Sequence, residues 1–325
     1  MRRRTLFRAL GTIPMVGLAG AARAADWPGK PIRFVVPFTP GGSTDTSARI
    51  LAERLGHIFG QQVIVDNKAG GRTIIGTQAV ATSAPDGYTV LYAPATFSTN
   101  LAFEDKLPYD TEKDFAAVVH TVDMPMLLSC SMDAPYKTVK ELLAYGKTTK
   151  KPIPYASVGT GSSVHLWGEM IRLRTGLPME HVAYKGSSDA IRDVMGGSVP
   201  LFADVIVPGA AAVTAGKLRG LAIGTPRRFK LLPDVPTVVE AGLPADLEAT
   251  TPFGLVVPAA TPPDVVTRLN KAVNQVFADE GVKQKLLDLG FLPIGGTPAE
   301  YQRFLASEVV RWRKVIKDGN IPKPD

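Results

Sequence analysis

The stretch RFVVPFTPGGSTDTSARILAERLG, residues 33–56, decides how the chain is read. It opens on the β-branched and aromatic run Phe34-Val35-Val36 and turns through Pro37-Phe38-Thr39-Pro40-Gly41-Gly42. It ends with apolar residues at Ala48, Leu51, Ala52 and Leu55. The first run predicts a buried strand and the last spacing predicts a helix, joined by a glycine-bearing loop. The pattern recurs along the chain. Strands are predicted at 32–36, 63–66, 89–93, 126–131, 153–157, 180–183, 201–205, 218–223 and 253–257. Helices are predicted at 45–58, 75–83, 138–148, 163–175, 188–195 and 208–215. Such alternation implies an α/β fold with mainly parallel sheets and helices on both faces.

The C-terminal end reads differently. Thr261-Pro262-Pro263-Asp264 opens a helix with apolar positions Val265, Val266, Leu269, Val273 and Val276. Thr297-Pro298-Ala299-Glu300 is a capping box that starts a last helix running to about Ile316. No strand is expected after these helices. Packed against the first domain, they make it discontinuous: the chain crosses to a second domain near residue 124 and returns near 251. The predicted division is residues 1–24 as an export signal, 25–123 with 252–325 as lobe 1, and 124–251 as lobe 2. Two crossings form a hinge, and a hinge between α/β lobes makes a cleft.

The chain has 325 residues, 45% of them hydrophobic, enough for a core that fits two domains. Its pI of about 9.4 points at first to nucleic acid. The N-terminus removes that reading. Arg2, Arg3, Arg4 and Arg8 precede a weakly apolar stretch ending in Ala22-Arg23-Ala24, the pattern of a cleaved export signal. Cleavage after Ala24 removes five arginines and no acids, so the net charge falls from +7 to 7 − 5 = +2. The apolar part is too short to span a bilayer. Arg3-Arg4-Thr5-Leu6-Phe7 resembles a twin-arginine signal, with the general secretory route as the alternative. The single cysteine, Cys130, reads as a small apolar residue in a buried strand.

A helix N-terminus presents unpaired N–H groups and partial positive charge, so Pro40-Gly41-Gly42-Ser43-Thr44-Asp45 suits a carboxylate or phosphate. It equally suits a tight turn in which Ser43 or Thr44 caps the helix. It is neither a P-loop nor a G-x-G-x-x-G dinucleotide loop. YASVGTGSSVHL, residues 155–166, repeats the strand–glycine loop–helix idea with Gly159, Thr160, Gly161, Ser162 and Ser163. A third such loop, in residues 182–197, carries Lys185, Ser187 and Ser188. Ligands of open α/β sheets sit at these carboxyl ends of strands. Catalytic signals are poor. His57, His120, His165 and His181 lack metal-ligand spacing, and there is no G-x-S-x-G elbow. On a helix Ser163 and His165 face different ways, so His165 reads as a helix-surface or cap residue. Glu104-Asp105 reads as solvated acids in a surface loop.

Taken in order, several segments resemble the Bug receptors, also called the TctC family: the extracytoplasmic solute-binding receptors of tripartite tricarboxylate transporters. They are PFTPGGSTDTSAR (37–49), DNKAGG (66–71), APDGYTVLYAP (84–94), KLPYDTEKDFAAV (106–118), YASVGTGSSVHL (155–166), AYKGSSDAIRDVMGGSV (183–199), GKLRGLAIGTPRRFKLLPDVPTVVEAG (216–242) and GLVVPAATPPDVVTRLN (254–270). The resemblance implies a two-lobed, Venus-flytrap fold with the cleft between lobes. It implies a monomeric periplasmic receptor for a small carboxylate, partnered by integral membrane transporter subunits, with no enzyme activity, cofactor, metal or nucleic acid. By motif, the ligand residues are Phe38, Thr39, Gly41, Gly42, Ser43 and Asp45 in the first lobe. In the second they are Ser157, Gly159, Thr160, Ser162 and Ser163, with Lys185, Gly186 and Ser187 at the rim and Asp204 at a strand end. One departure stands out. The family segment commonly reads N-R-P-G-A-G-G-x-I-G, and here Arg72 and Thr73 replace two glycines. Arg72 either sits in a relaxed surface loop or reaches the cleft and pairs with a second ligand carboxylate. Phe38 and Phe97 hint at an apolar contact with the ligand or belong to the core. The alternatives to transport are a receptor that feeds a sensor kinase and a secreted hydrolase of carboxylated substrates.

Overall fold

The structure is a computed structural model that describes residues 27–104 and 106–324. The export-signal reading of residues 1–24 and the acid Asp105 lie outside the described residues. In the first lobe, β1 (Ile32–Val36) pairs in parallel with β2 (Val63–Asn67) and β3 (Thr89–Pro94). Every residue of β3 is buried, as befits a central strand covered on both faces. α1 (Ser43–Phe59) buries Ala48, Leu51, Ala52 and Leu55, the predicted stripe. α2 (Ile74–Ala81) follows β2, and α3 (Thr96–Phe103) follows β3.

The next strand, β4 (Phe115–Ser131), links the two lobes. Its residues 115–125 pair antiparallel with β9 (Thr250–Pro258), which also pairs antiparallel with β3. Its residues 126–130 pair antiparallel with β7 (Leu201–Val205), and 127–131 with β8 (Leu218–Ile223). β7 continues in parallel to β5 (Ile153–Ser157), and β5 to β6 (Met179–Ala183). The second lobe's helices are α4 (Val139–Thr148), α5 (Ser163–Thr175), α6 (Ser187–Met195) and α7 (Ile206–Thr214). The chain then returns through β9 to α8 (Pro263–Ala278), α9 (Glu280–Asp288), β10 (Leu292–Gly295) and α10 (Pro298–Gly319) in the discontinuous first lobe.

Several elements differ from the sequence reading. β4 starts at Phe115 rather than at 126. Its first half carries His120, Thr121 and Asp123, which break an apolar pattern but are buried and paired. His120 Nε2 lies 2.6 Å from Asp123 Oδ1, and Thr121 Oγ1 donates to the Phe253 carbonyl at 2.9 Å. α3 was hidden for the same reason, since its buried face includes Ser98, Thr99 and Asn100. The expectation of no strand after these helices is corrected for the first of them: β10 lies between α9 and α10 and pairs antiparallel with β4. α10 begins at the predicted capping box, with Glu300 N–H donating to Thr297 Oγ1 and Thr297 N–H to Glu300 Oε2. It packs on β4 and α3, but also on α5 of the second lobe. Arg311 donates to the Glu248 carbonyl at 2.8 Å, and Arg172 to that of Gly319 at 3.4 Å. Cys130 is buried within β4, where desolvation pushes its thiol up to about 11. Among the described residues, no helix is long and apolar enough to cross a membrane.

Candidate ligand-binding cleft

A cavity of about 570 Å³ opens between the lobes, where the loops after β1, β2, β3, β5, β6 and β7 converge. Its first-lobe wall includes Phe38, Thr39, Gly42, Ser43 and Arg72. Facing it are Thr160, Ser162, Ser163, Lys185, Gly186, Ser187 and Asp204. Met124, Thr251 and Phe253, on the strands that link the lobes, also line it.

Five of the six helix N-termini around this space share one property. α1 has Gly42 as N-cap, α2 has Thr73, α3 has Ala95, α6 has Gly186 and α7 has Val205, and in none does the cap side chain accept a first-turn N–H. All five caps line the cavity. By contrast Thr138, Asp279 and Thr297 cap α4, α9 and α10, which start elsewhere. Two helices depart from this division: Ser162 caps α5 at the cavity, and α8 starts uncapped away from it behind Pro262. Uncapped N-termini carry orphan N–H donors and the positive end of the helix dipole. Backbone amides of several such ends facing one space are suited to an anion. Lys185 adds a full charge and forms no ion pair among the described residues.

Four of the sequence candidates stand behind the wall rather than on it. Asp45 is buried and turned back: its carboxylate accepts from Gly41 N–H at 2.9 Å, Arg49 Nε at 2.9 Å and Asn67 Nδ2 at 2.9 Å. Burial opposes its charge, but these hydrogen bonds outweigh burial and hold the carboxyl below its usual range. Gly41 sits at φ +88°, where glycine is favoured, and its N–H is spent on that carboxylate. The pair therefore shapes the loop that presents Gly42. Ser157 is fully buried, with its Oγ 2.7 Å from His181 Nε2. Gly159, at φ +115°, accepts the Ser162 hydroxyl on its carbonyl at 2.7 Å.

His165 corrects the surface reading. It is buried, its ring stacks on His181 with centroids 3.8 Å apart, and its Nδ1 accepts from Gly161 N–H at 3.1 Å. Desolvation, aided by the neighbouring imidazole, depresses its pKa to about 3; desolvation takes His181 to about 4. The neutral pair thus supports the second glycine loop from beneath. The Ser157–His181 contact resembles a nucleophile and base, but Ser157 shows no surface to the cavity. Phe97 is likewise core, packed edge-on against Phe115 and absent from the lining, whereas Phe38 is exposed at the cavity.

The description "Tripartite tricarboxylate transporter family receptor" matches residues 47–321. The chain belongs to this family. It is 34% identical over 308 residues to the protein BugT of Bordetella pertussis, covering 94% of each. Among solved structures it is similar to Rpa4515 of R. palustris with adipate, at 35% identity and TM-score 0.81, covering 91% of this chain and 99% of that one. It is also similar to MatC of Rhodopseudomonas palustris with bound malate, at 30% identity and TM-score 0.75, covering 89% and 100%.

In the loop at 70–73, Gly70 and Gly71 are followed by two further residues on a glycine-type backbone that are not glycines. Arg72 and Thr73 have φ of 52° and 76°, a left-handed region that costs a side chain about 1–3 kcal/mol. The surroundings hold them there. Asn100 Nδ2 donates to the Arg72 carbonyl at 2.9 Å, and the Thr73 and Thr96 hydroxyls lie 2.8 Å apart. Arg72 borders the cavity, but its guanidinium is engaged: it donates to Asn100 Oδ1 at 2.9 Å and the Pro324 carbonyl at 3.2 Å, and lies 3.6 Å from Glu104. Glu104 is therefore no free surface acid, since Arg72 and Lys323 both pair with it. Thr96, Met124, Thr251 and Phe253 line the cavity without having been singled out in the sequence. Only Thr96 carried a findable signal, as the residue after a strand-ending Pro94-Ala95, had α3 been recognised.

Proposed function

We propose that this receptor captures a small carboxylate between its lobes in the periplasm and delivers it, as a monomer, to a tripartite tricarboxylate-type membrane transporter. The observation that carries the reading is the convergence of uncapped helix N-termini on one inter-lobe cavity. Adipate and malate in the related structures agree with that chemistry. The ligand carboxylate docks on the amides after Gly42, with Thr39, Ser43, Thr160, Ser163, Lys185 and Ser187 around it. The division into residues 25–123 with 252–325 and 124–251 puts the hinge near 124 and 251, which pair with one another on β4 and β9. Closure buries the guest, and the closed form is what membrane subunits recognise. Residues 1–24 supply the export signal, cleaved after Ala24.

Thermal denaturation of residues 25–325 with a panel of four- to eight-carbon mono- and dicarboxylates tests this. A true ligand at a hundred times its Kd adds about 2.7 kcal/mol and raises Tm by several degrees. Stabilisation by neutral sugars or amines, with none from any carboxylate, overturns the reading.

A further inference from the structure

Asp204 ends the cleft on the second lobe. It is the fourth residue of β7, stands opposite Leu127 of β4, and borders the cavity. Only 2% of the residue is exposed. Oδ1 accepts the Val205 N–H at 2.8 Å. Oδ2 is buried and has no hydrogen-bond partner. Ser187 at the start of α6 lies near enough to ease the carboxyl's charge, but its hydroxyl closes no hydrogen bond on Oδ2. The charged groups sharing the cavity are Lys185, from the loop before α6, and Arg72, across the cleft and paired with Glu104. Neither forms an ion pair with Asp204 among the described residues. Burial raises the Asp204 pKa to about 6, and of its two oxygens Oδ2 is the one without a donor.

A buried carboxylate oxygen without a donor is costly unless something supplies one. A second anion placed there would meet repulsion. We propose that Asp204 makes the cleft selective for carboxylates that also carry a hydrogen-bond donor, a hydroxyl or an ammonium, which its unpartnered Oδ2 accepts. The inference rests on the carboxylate-receptor reading and narrows its ligand class. The guest lies with its carboxylate on the helix N-termini and its donor group turned to β7. A site built to accept a hydrogen bond discriminates against the analogue that lacks the donor, because binding then buries the acceptor unpaired.

Calorimetry on residues 25–325 with matched sets tests the assignment: succinate, malate and aspartate; glutarate, 2-hydroxyglutarate and glutamate; adipate and 2-aminoadipate; benzoate and 4-hydroxybenzoate. In whichever set binds, a donor-bearing member is expected to bind at least tenfold more tightly than the plain acid. The hydroxy and amino arms tell which donor is used. Asp204→Ala and Asp204→Leu are expected to fold with unchanged or raised Tm, since each removes a half-satisfied buried carboxyl, and to lose that preference. Equal affinity for plain and donor-bearing acids overturns the inference and leaves the carboxylate reading intact. So does plain-acid affinity that rises tenfold from pH 7.5 to 5.5, because Asp204 would then be giving a proton rather than accepting a hydrogen bond. Failure of every set to bind overturns both.

Discussion

Gly42→Asp abolishes carboxylate binding, with a loss of at least a hundredfold, while the melting temperature stays level or rises. The backbone at Gly42 has φ −78° and ψ 173°, open to any residue, and a Cβ there would meet nothing within 4 Å. Neither the turn nor the packing therefore requires glycine at this position. The empty space is the cleft itself. Asp is among the best N-cap residues, and its carboxylate would bond to the free first-turn amides of α1, adding a few tenths of a kcal/mol over glycine. The same act fills the anion site with a tethered anion and repels the guest. Gly42→Ala serves as control, adding bulk without charge and weakening binding less. Calorimetry with a confirmed ligand decides the matter. Wild-type affinity in the aspartate variant would remove α1 from the binding site.

Acid weakens this protein through His165. Its pKa is about 3 in the folded chain against about 6.5 unfolded, so the folded state favours the neutral ring. A depressed histidine pKa means that the unfolded chain binds more protons below 6.5. Stability is full above that pH and declines as pH falls towards 3. Between pH 7.5 and 4 the loss from His165 is about 3 kcal/mol, with a smaller, solvent-screened share from half-buried His181. Asp45, with its lowered pKa, adds to the acid loss, while Asp204 and Glu308, with raised values, oppose it, so the total profile mixes signs. His165→Asn isolates the contribution, since its amide oxygen can take over acceptance from Gly161 N–H. Urea denaturation across this range is expected to show the asparagine variant gaining about 3 kcal/mol on wild type as pH falls to 4. Parallel profiles for the two proteins would refute the assignment.

The alternation of β-branched runs with 3.6-residue stripes made the α/β class legible, because each parallel strand and its helix bury faces that repeat locally. The glycine loops were legible as candidates for the same reason: a strand end, a turn and a helix start lie together in sequence. Phe38, Thr39, Gly42, Ser43, Thr160, Ser162, Ser163, Lys185, Gly186, Ser187 and Asp204 all stand on the cavity wall. What local pattern does not carry is direction. Asp45 and Ser43 are neighbours, yet Asn67 and Arg49 draw the Asp45 carboxylate back from the cleft. Ser157 bonds to His181, 24 residues on. Thr251 and Phe253 reach the cavity because β9 lies against β4 with Thr251 opposite Met124.

By itself the order of residues determined most strands and helices and the glycine loops that border the cavity, since backbone periodicity and turn chemistry act over a few residues. Tertiary structure alone decided which helix N-termini meet around one space and which polar side chains turn towards it. Those outcomes depend on hydrogen-bond partners brought together from distant parts of the chain, and no short-range rule records them.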